Sequence, residues 1–162
     1  MLRWILGFLC AVQLTVPVSA AEQVTVDRIV VEKAQRRMDL ISGDMVVRSY
    51  EIALGSAPEG HKQQEGDGRT PEGKYLIEGR NPSSAFHLSL KISYPDAADR
   101  AAAAARNVSP GGDIFIQGAP NWWLLPGQPP GDWTRGCIAV TKAEIEKIWR
   151  LVPDGTPVEI RP

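Results

Sequence analysis

Apolar residues along this chain recur mostly with a period of two. Val24 to Val31 and Met38 to Leu54 are short, β-branched runs, and Ser42-Gly43-Asp44 divides the second as a turn, which predicts an opening strand and then a β-hairpin. Gly55 to Gly73 carries glycine, proline and charge in place of periodicity and reads as a long surface loop, a feature that in compact domains often serves function. Lys74 to Arg80 predicts a strand, and Phe86 to Tyr94 another. Alternation along the latter puts Phe86, Leu88, Leu90 and Ile92 on one face and His87, Ser89, Lys91 and Ser93 on the other.

The period becomes helical twice. Asp96 to Arg106 is alanine-rich, with an acidic start and a basic end that suit the helix dipole, and Ser109-Pro110-Gly111-Gly112 stops it. Thr141 with Glu144 forms a capping box that opens a helix through about Val152, with Ile145, Ile148, Trp149 and Val152 as its apolar face. Between these helices lie a short apolar strand from Asp113 to Gln117, a Pro/Gly/Trp-rich loop from Ala119 to Trp133, and the run Cys137 to Val140. Thr156 to Ile160 supplies a last strand. Strands outnumber helices, so the expected fold is mainly β, a sheet or sandwich with two helices packed on it.

The first twenty residues form a separate segment. Arg3 gives a basic start, Trp4 to Val18 an apolar run, and Val18-Ser19-Ala20 a small-residue ending, the pattern of a secretory signal peptide over residues 1–20 cleaved after Ala20. The run is broken by Gln13 and Pro17 and falls short of the ~20 apolar residues a membrane span needs. Residues 21–162 then make one domain, expected to be periplasmic or secreted, of a size that supports a single core. The formal charge of −1 becomes −2 when Arg3 is removed, and the cations are scattered, which argues against a nucleic-acid partner.

Cysteine usage is more informative. Cys10 departs with the leader, leaving Cys137 as a lone thiol in an oxidising compartment where exported proteins normally pair their cysteines. A small buried apolar residue is the plain reading of such a cysteine. Its context, Asp132-Trp133-Thr134-Arg135-Gly136-Cys137, puts it directly after a glycine, between an irregular loop and a short strand. That position exposes a thiol, leaves neighbouring backbone N–H groups to face a developing oxyanion, and sets Arg135 two residues away to favour the thiolate.

The segment Thr134-Arg135-Gly136-Cys137-Ile138-Ala139-Val140 resembles the Ser/Thr-x-Gly-Cys signature of the L,D-transpeptidase (YkuD-like) family. Gly66-Asp67-Gly68-Arg69-Thr70-Pro71-Glu72-Gly73-Lys74-Tyr75 resembles the family's other recurrent block, and Leu88 to Pro95 looks like its YafK-type, murein-associated branch. The resemblance implies a β-sandwich-like catalytic fold in which Cys137 attacks a peptidoglycan stem peptide to form an acyl thioester. It also implies that Thr134, Arg135, Gly136 and Gly118 bound the substrate, with Arg135 suited to a stem-peptide carboxylate. A wall-attached protein is a further partner the family suggests, with no cofactor or metal.

One departure stands out. The family places a general-base histidine in an Ile-His-Gly context, and this chain reads Ile116-Gln117-Gly118. An amide can orient a thiol but has no titration near neutral pH. Two histidines remain as substitutes: His61 in a glycine-bounded loop, read as an exposed side chain, and His87 on the polar face of its strand, where it would face the cleft. Trp122, Trp123, Leu124 and Leu125 form an apolar tip that serves as a substrate lid, as a docking surface or as ordinary loop packing. Two separated histidines and one cysteine make no metal-ligand cluster. The expected function is transpeptidation on stem peptides. Its alternatives are hydrolysis or amidase activity through the same cysteine, and a non-catalytic wall-binding domain.

Overall fold

Strands β1 (Arg28–Glu32), β2 (Arg37–Ser42) and β3 (Met45–Glu51) form an antiparallel meander whose tight turn is the expected Ser42-Gly43-Asp44. The structure is a computed structural model and describes residues 24–162, so the segment read as a leader lies outside the described residues. β8 (Pro157–Arg161) runs parallel to β1 and antiparallel to β4 (Gly73–Ser84). β5 (His87–Ile92), β6 (Phe115–Gln117) and β7 (Ile138–Ala139) complete a sheet of order β3-β2-β1-β8-β4-β5-β6-β7. Helices α1 (Ala97–Ala104) and α2 (Lys142–Leu151) pack beside it, so the domain is mainly β with two helices among the described residues.

β4 serves both halves of this sheet. Its first residues, Gly73 to Leu76, pair with β8, and those from Ile77 onward pair with β5, with register shifts after Ile77 and after Asn81 that bend the strand. The sheet also closes on itself. Ala53, just beyond β3, exchanges backbone bonds with Ala139 of β7 at 2.9 and 2.8 Å, so the two ends of the strand order meet. Cys137 lies two residues before that seam.

The core lies between the two halves. Ile29, Val31, Met38 and Leu40 from one half meet Ile77, Leu90, Ile92 and Ile116 from the other, together with Ile145 and Ile148 of α2. Each such side chain contributes about 1.5–3 kcal/mol by leaving water. α2 opens on the predicted capping box, Thr141 with Glu144. α1 opens on another, Asp96 with Asp99, but ends at Ala104. Arg106 falls outside the helix and donates to Gln63 O at 2.7 Å, so the expected favourable charge on the last turn is absent.

The segment from Gly55 to Gly73 is irregular, as expected, yet firmly held. Lys33, 2% exposed, donates to Gly60 O, Thr70 O and Glu72 Oε1, while Thr70 Oγ1 accepts from Gly55 N. Within it, the Asp67 carboxylate accepts from Lys62 Nζ and from the backbone N–H groups of Gln63, Gln64 and Arg69. Those bonds outweigh burial and hold its pKa at about 2.

Candidate active site

Cys137 follows a turn whose geometry is set by Thr134. The Thr134 hydroxyl donates to Cys137 O at 2.7 Å and accepts from Gly136 N at 3.1 Å, while the Thr134 backbone is tied to Leu54 and Ser56. Asp132 anchors the same turn, with a carboxylate that takes a forked pair from Arg36 and the Leu54 N–H at 3.0 Å. Gly136 sits at φ 134°, and a Cβ there would come within 2.7 Å of Arg69 O, so only glycine lets the two loops touch. The sulfur that follows is half-buried, and its thiol donates to Asp113 O at 3.6 Å.

Two cavities meet at that sulfur. One, of about 740 Å³, is charged and includes Lys62, Lys91, Arg100 and Arg135 with Glu65 and Glu78. The other, of about 580 Å³, is aromatic, lined by Phe86, Phe115, Trp122 and Trp133 with Ser89 and Gln117. Asp113, Arg135 and Cys137 belong to both. Gln117 is 3% exposed at the end of β6, paired with Ser89 of β5 and Ala139 of β7. Burial pushes the Cys137 thiol up and is the largest influence; a bond from the Phe115 backbone and the charge of Lys62 oppose it, and the charge of Asp113 reinforces it.

Residues 26–160 match the model of the L,D-transpeptidase catalytic domain, also called YkuD. The chain belongs to the L,D-transpeptidase catalytic domain family. YafK of Escherichia coli (strain K12) is 31% identical over 127 residues, which cover 74% of this chain and 44% of YafK, so the chain spans about half the length of this relative. Among solved structures, the helical cell shape determining protein Pgp2 from Campylobacter jejuni has a TM-score of 0.66 at 23% identity, with coverage of 88% of this chain and 52% of that one. The L,D-transpeptidase from Xylanimonas cellulosilytica has a TM-score of 0.56 at 14% identity, covering 86% of this chain and 62% of its own. At these identities the structural likeness establishes the fold, which is that of the L,D-transpeptidases.

Within this L,D-transpeptidase domain, the residues singled out in the sequence fall into two sets. Cys137, Gln117, Thr134 and Arg135 come together around the cavities. Arg135 is exposed and makes no ion pair among the described residues, so its guanidinium is available to an anionic ligand.

The second set needs correction. His87 does not face the cleft: its φ of 71° breaks the strand alternation, and its ring bonds Glu146 of α2 at 2.7 Å. His61 is not a free surface side chain, because Nδ1 accepts from Glu72 N at 2.9 Å and Nε2 meets Asp99 Oδ1 at 3.0 Å. Gly118 lines neither cavity. Its missing side chain makes room for Phe86 O and Ile145, at 2.8 and 2.9 Å from where a Cβ would be. Gly136 is likewise a packing glycine, and its N–H is committed to Thr134, so it does not wait for an oxyanion. The leading influences on the thiol's acidity are burial, the Phe115 backbone, Asp113 and, least of these, Lys62; Arg135 is not among them.

Lys62, Asp113 and Ser89 are the site residues that sequence reasoning missed. Asp113 carried a signal in its position between Gly112 and the strand, where a φ of 52° turns its carbonyl to the sulfur. The apolar tip is exposed, Trp122 at 73%, Leu124 at 88% and Leu125 at 65%, and Trp122 also walls the aromatic cavity.

Proposed function

We propose that this domain is an exported acyltransferase that acts on peptidoglycan stem peptides through a thioester on Cys137. The observation that carries the reading is the meeting of a charged and an aromatic cavity at one half-buried sulfur. Two substrates approaching from two sides can then reach the same atom. A peptide with charged ends suits the cavity holding Lys62, Lys91 and Arg100, and Arg135 suits its carboxylate.

In the reaction, the thiolate of Cys137 adds to an amide carbonyl carbon, forming a C–S bond and an oxyanion. The C–N bond then breaks, and the departing amine takes a proton from water. The acyl group passes to a second amine, making a new amide, or to water, making a carboxylate, and the thiol returns. An amine acceptor yields a crosslink or a wall-attached protein; water yields hydrolysis or protein release. The N-terminal apolar run and its small-residue ending support export.

A second reading, a wall-binding domain without turnover, draws on two observations: an amide at position 117 and a thiol pushed up by burial. Incubation of residues 21–162 with a purified disaccharide tetrapeptide distinguishes the two. Loss of the terminal residue or a crosslinked product, absent with Cys137→Ala, supports catalysis. Co-sedimentation with intact wall material and no product in either protein supports the binding role instead.

A further inference from the structure

We propose that Gln117 and Ser89 form a docking pair for the amide backbone of a peptide substrate inside the aromatic cavity, and that this contact selects an uncharged stretch of peptide. The inference rests on the reading of the domain as one that acts on wall peptides. It assigns a binding role to the side chain that stands where the family has its base.

Gln117 ends β6 and Ser89 lies in β5, and the two are partners across the antiparallel β5–β6 ladder. Residues paired in this way send their side chains to the same face, with Cβ atoms about 5 Å apart. Both line the aromatic cavity. On its other side Gln117 is held by β7, where it pairs with Ala139 and its backbone carbonyl accepts from Val140 N at 2.9 Å. Cys137 lies two residues before Ala139 and lines the same cavity. Backbone bonds on both sides therefore fix the pair beside the wall that carries the sulfur.

Both residues are buried, Gln117 at 3% and Ser89 at 2% exposure, and neither side chain makes a hydrogen bond among the described residues. The polar side-chain atoms that are both sealed and unpartnered are Tyr50 Oη, Trp123 Nε1, Gln128 Oε1 and Trp133 Nε1. The Gln117 amide and the Ser89 hydroxyl are not among them, so they open on the cavity they line. Buried amides and hydroxyls are nearly always paired, because leaving them unpaired costs free energy. The other hydroxyl and amide side chains of this wall follow that rule. Thr134 bonds Cys137 O and Gly136 N, Ser84 Oγ accepts from Phe86 N at 3.1 Å, and Asn81 Oδ1 accepts from Ser83 N at 2.9 Å. Gln117 and Ser89 are left for a ligand.

The chemistry of that ligand follows from the wall. Gln117 offers a carbonyl that accepts and an amide that donates, and Ser89 offers a hydroxyl. Phe86, Phe115, Trp122 and Trp133 surround them, and charge enters only at Asp113 and Arg135, where the two cavities meet. A peptide bond fits this setting: its N–H donates to Gln117 Oε1, while a peptide carbonyl accepts from Ser89 Oγ. Water serves these groups in the free protein and is displaced. A charged group would lose its hydration against aromatic walls, and a sugar ring brings more hydroxyls than two side chains can pair. Bound this way, Gln117 holds substrate and moves no proton, so a histidine there gains a base and gives up this contact.

The test is made on Cys137→Ala protein, so that binding is read without turnover and the acyltransferase reading can fail while this one stands, or the reverse. The probes are a synthetic stem tetrapeptide and analogues in which one amide at a time is replaced by an ester, which removes an N–H and little else. Tryptophan fluorescence reports occupancy, since Trp122 and Trp133 line the cavity, and calorimetry gives the Kd independently. One ester analogue should bind about tenfold more weakly than the tetrapeptide. Adding Gln117→Met should weaken the tetrapeptide by a similar factor and close the gap between that amide and its ester, because the partner of the N–H is gone. Adding Ser89→Ala should weaken the tetrapeptide about threefold and keep the gap. Should Gln117→Met not fold, Gln117→Asn, which withdraws the amide by one methylene, takes its place with the same expectations. Equal binding of every analogue, a gap that survives the change at position 117, competition by the peptide-free disaccharide, or no binding of the tetrapeptide at all overturns the proposal.

Discussion

Replacing Gln117 by histidine measures how much of the family's chemistry this site has kept. Position 117 is 3% exposed, is fixed between Ser89 and Ala139 by the β5 and β7 ladders, and lines the aromatic cavity with Cys137. Burial disfavours an imidazolium, so a histidine there stays neutral near pH 7 and can accept the thiol proton. A placed general base is worth ~10²–10⁴-fold, and even a poorly aligned one should give tenfold, or ~1.4 kcal/mol of transition-state stabilisation. The assay is the rate of acylation by a carbapenem, followed by intact mass from acid to alkaline pH. For the natural protein only the thiolate reacts, and burial raises the thiol's pKa, so its rate should climb about tenfold per pH unit through neutrality. Gln117→His should flatten that slope and gain most at neutral pH. A folded Gln117→His protein that acylates at the natural rate at every pH, while the natural protein is active, would place residue 117 off the proton path.

Three further outcomes follow from the packing. His87→Ala should leave acylation unchanged and cost no more than ~1 kcal/mol in a melting experiment, because its ring serves a half-exposed pair with Glu146. Asp67 has a folded-state pKa of about 2 against an ordinary 3.8, so its contribution is complete above that ordinary value and fades as pH falls towards 2. Asp67→Asn should therefore lose about 2 kcal/mol at neutral pH and weaken the acid dependence of stability, as read from denaturant midpoints at a series of pH values. Gly136→Ala combines φ 134° with a 2.7 Å approach to Arg69 O, so it should cost about 2 kcal/mol or more and slow Cys137 alkylation. A variant as stable and reactive as the natural protein would show that the two loops tolerate separation.

The elements with strong local signals were legible in the chain. The hairpin turned at Ser42-Gly43-Asp44, and α2 began at Thr141, because short-range hydrogen bonds alone define a tight turn and a capping box. Cys137 stood out for a similar reason, as an unpaired thiol behind a glycine. What failed to show depends on tertiary contacts. β4 runs past Asn81-Pro82, where proline argues for a stop, because register shifts near that point leave room for it. His87 was assigned to the cleft by alternation, which a left-handed backbone at that residue undoes. Gly118 and Gly136 were given to the substrate by resemblance alone, whereas each makes room for protein atoms that only the folded chain brings near. Lys33 and Lys62 were hidden most completely, since a lysine in a charged loop reads as solvated and only the folded chain shows two of them buried and bonded.

The central claim is that Cys137 becomes acylated. Natural protein and Cys137→Ala should be exposed to a carbapenem at alkaline pH, where the raised thiol ionises, and examined by intact mass and peptide mapping. The account predicts one adduct with the full mass of the compound, mapped to the peptide carrying Cys137. It should be absent from Cys137→Ala, whose melting temperature should stay close to that of the natural protein. A folded natural protein that takes up no adduct even at alkaline pH, or an adduct that persists in Cys137→Ala, would contradict it.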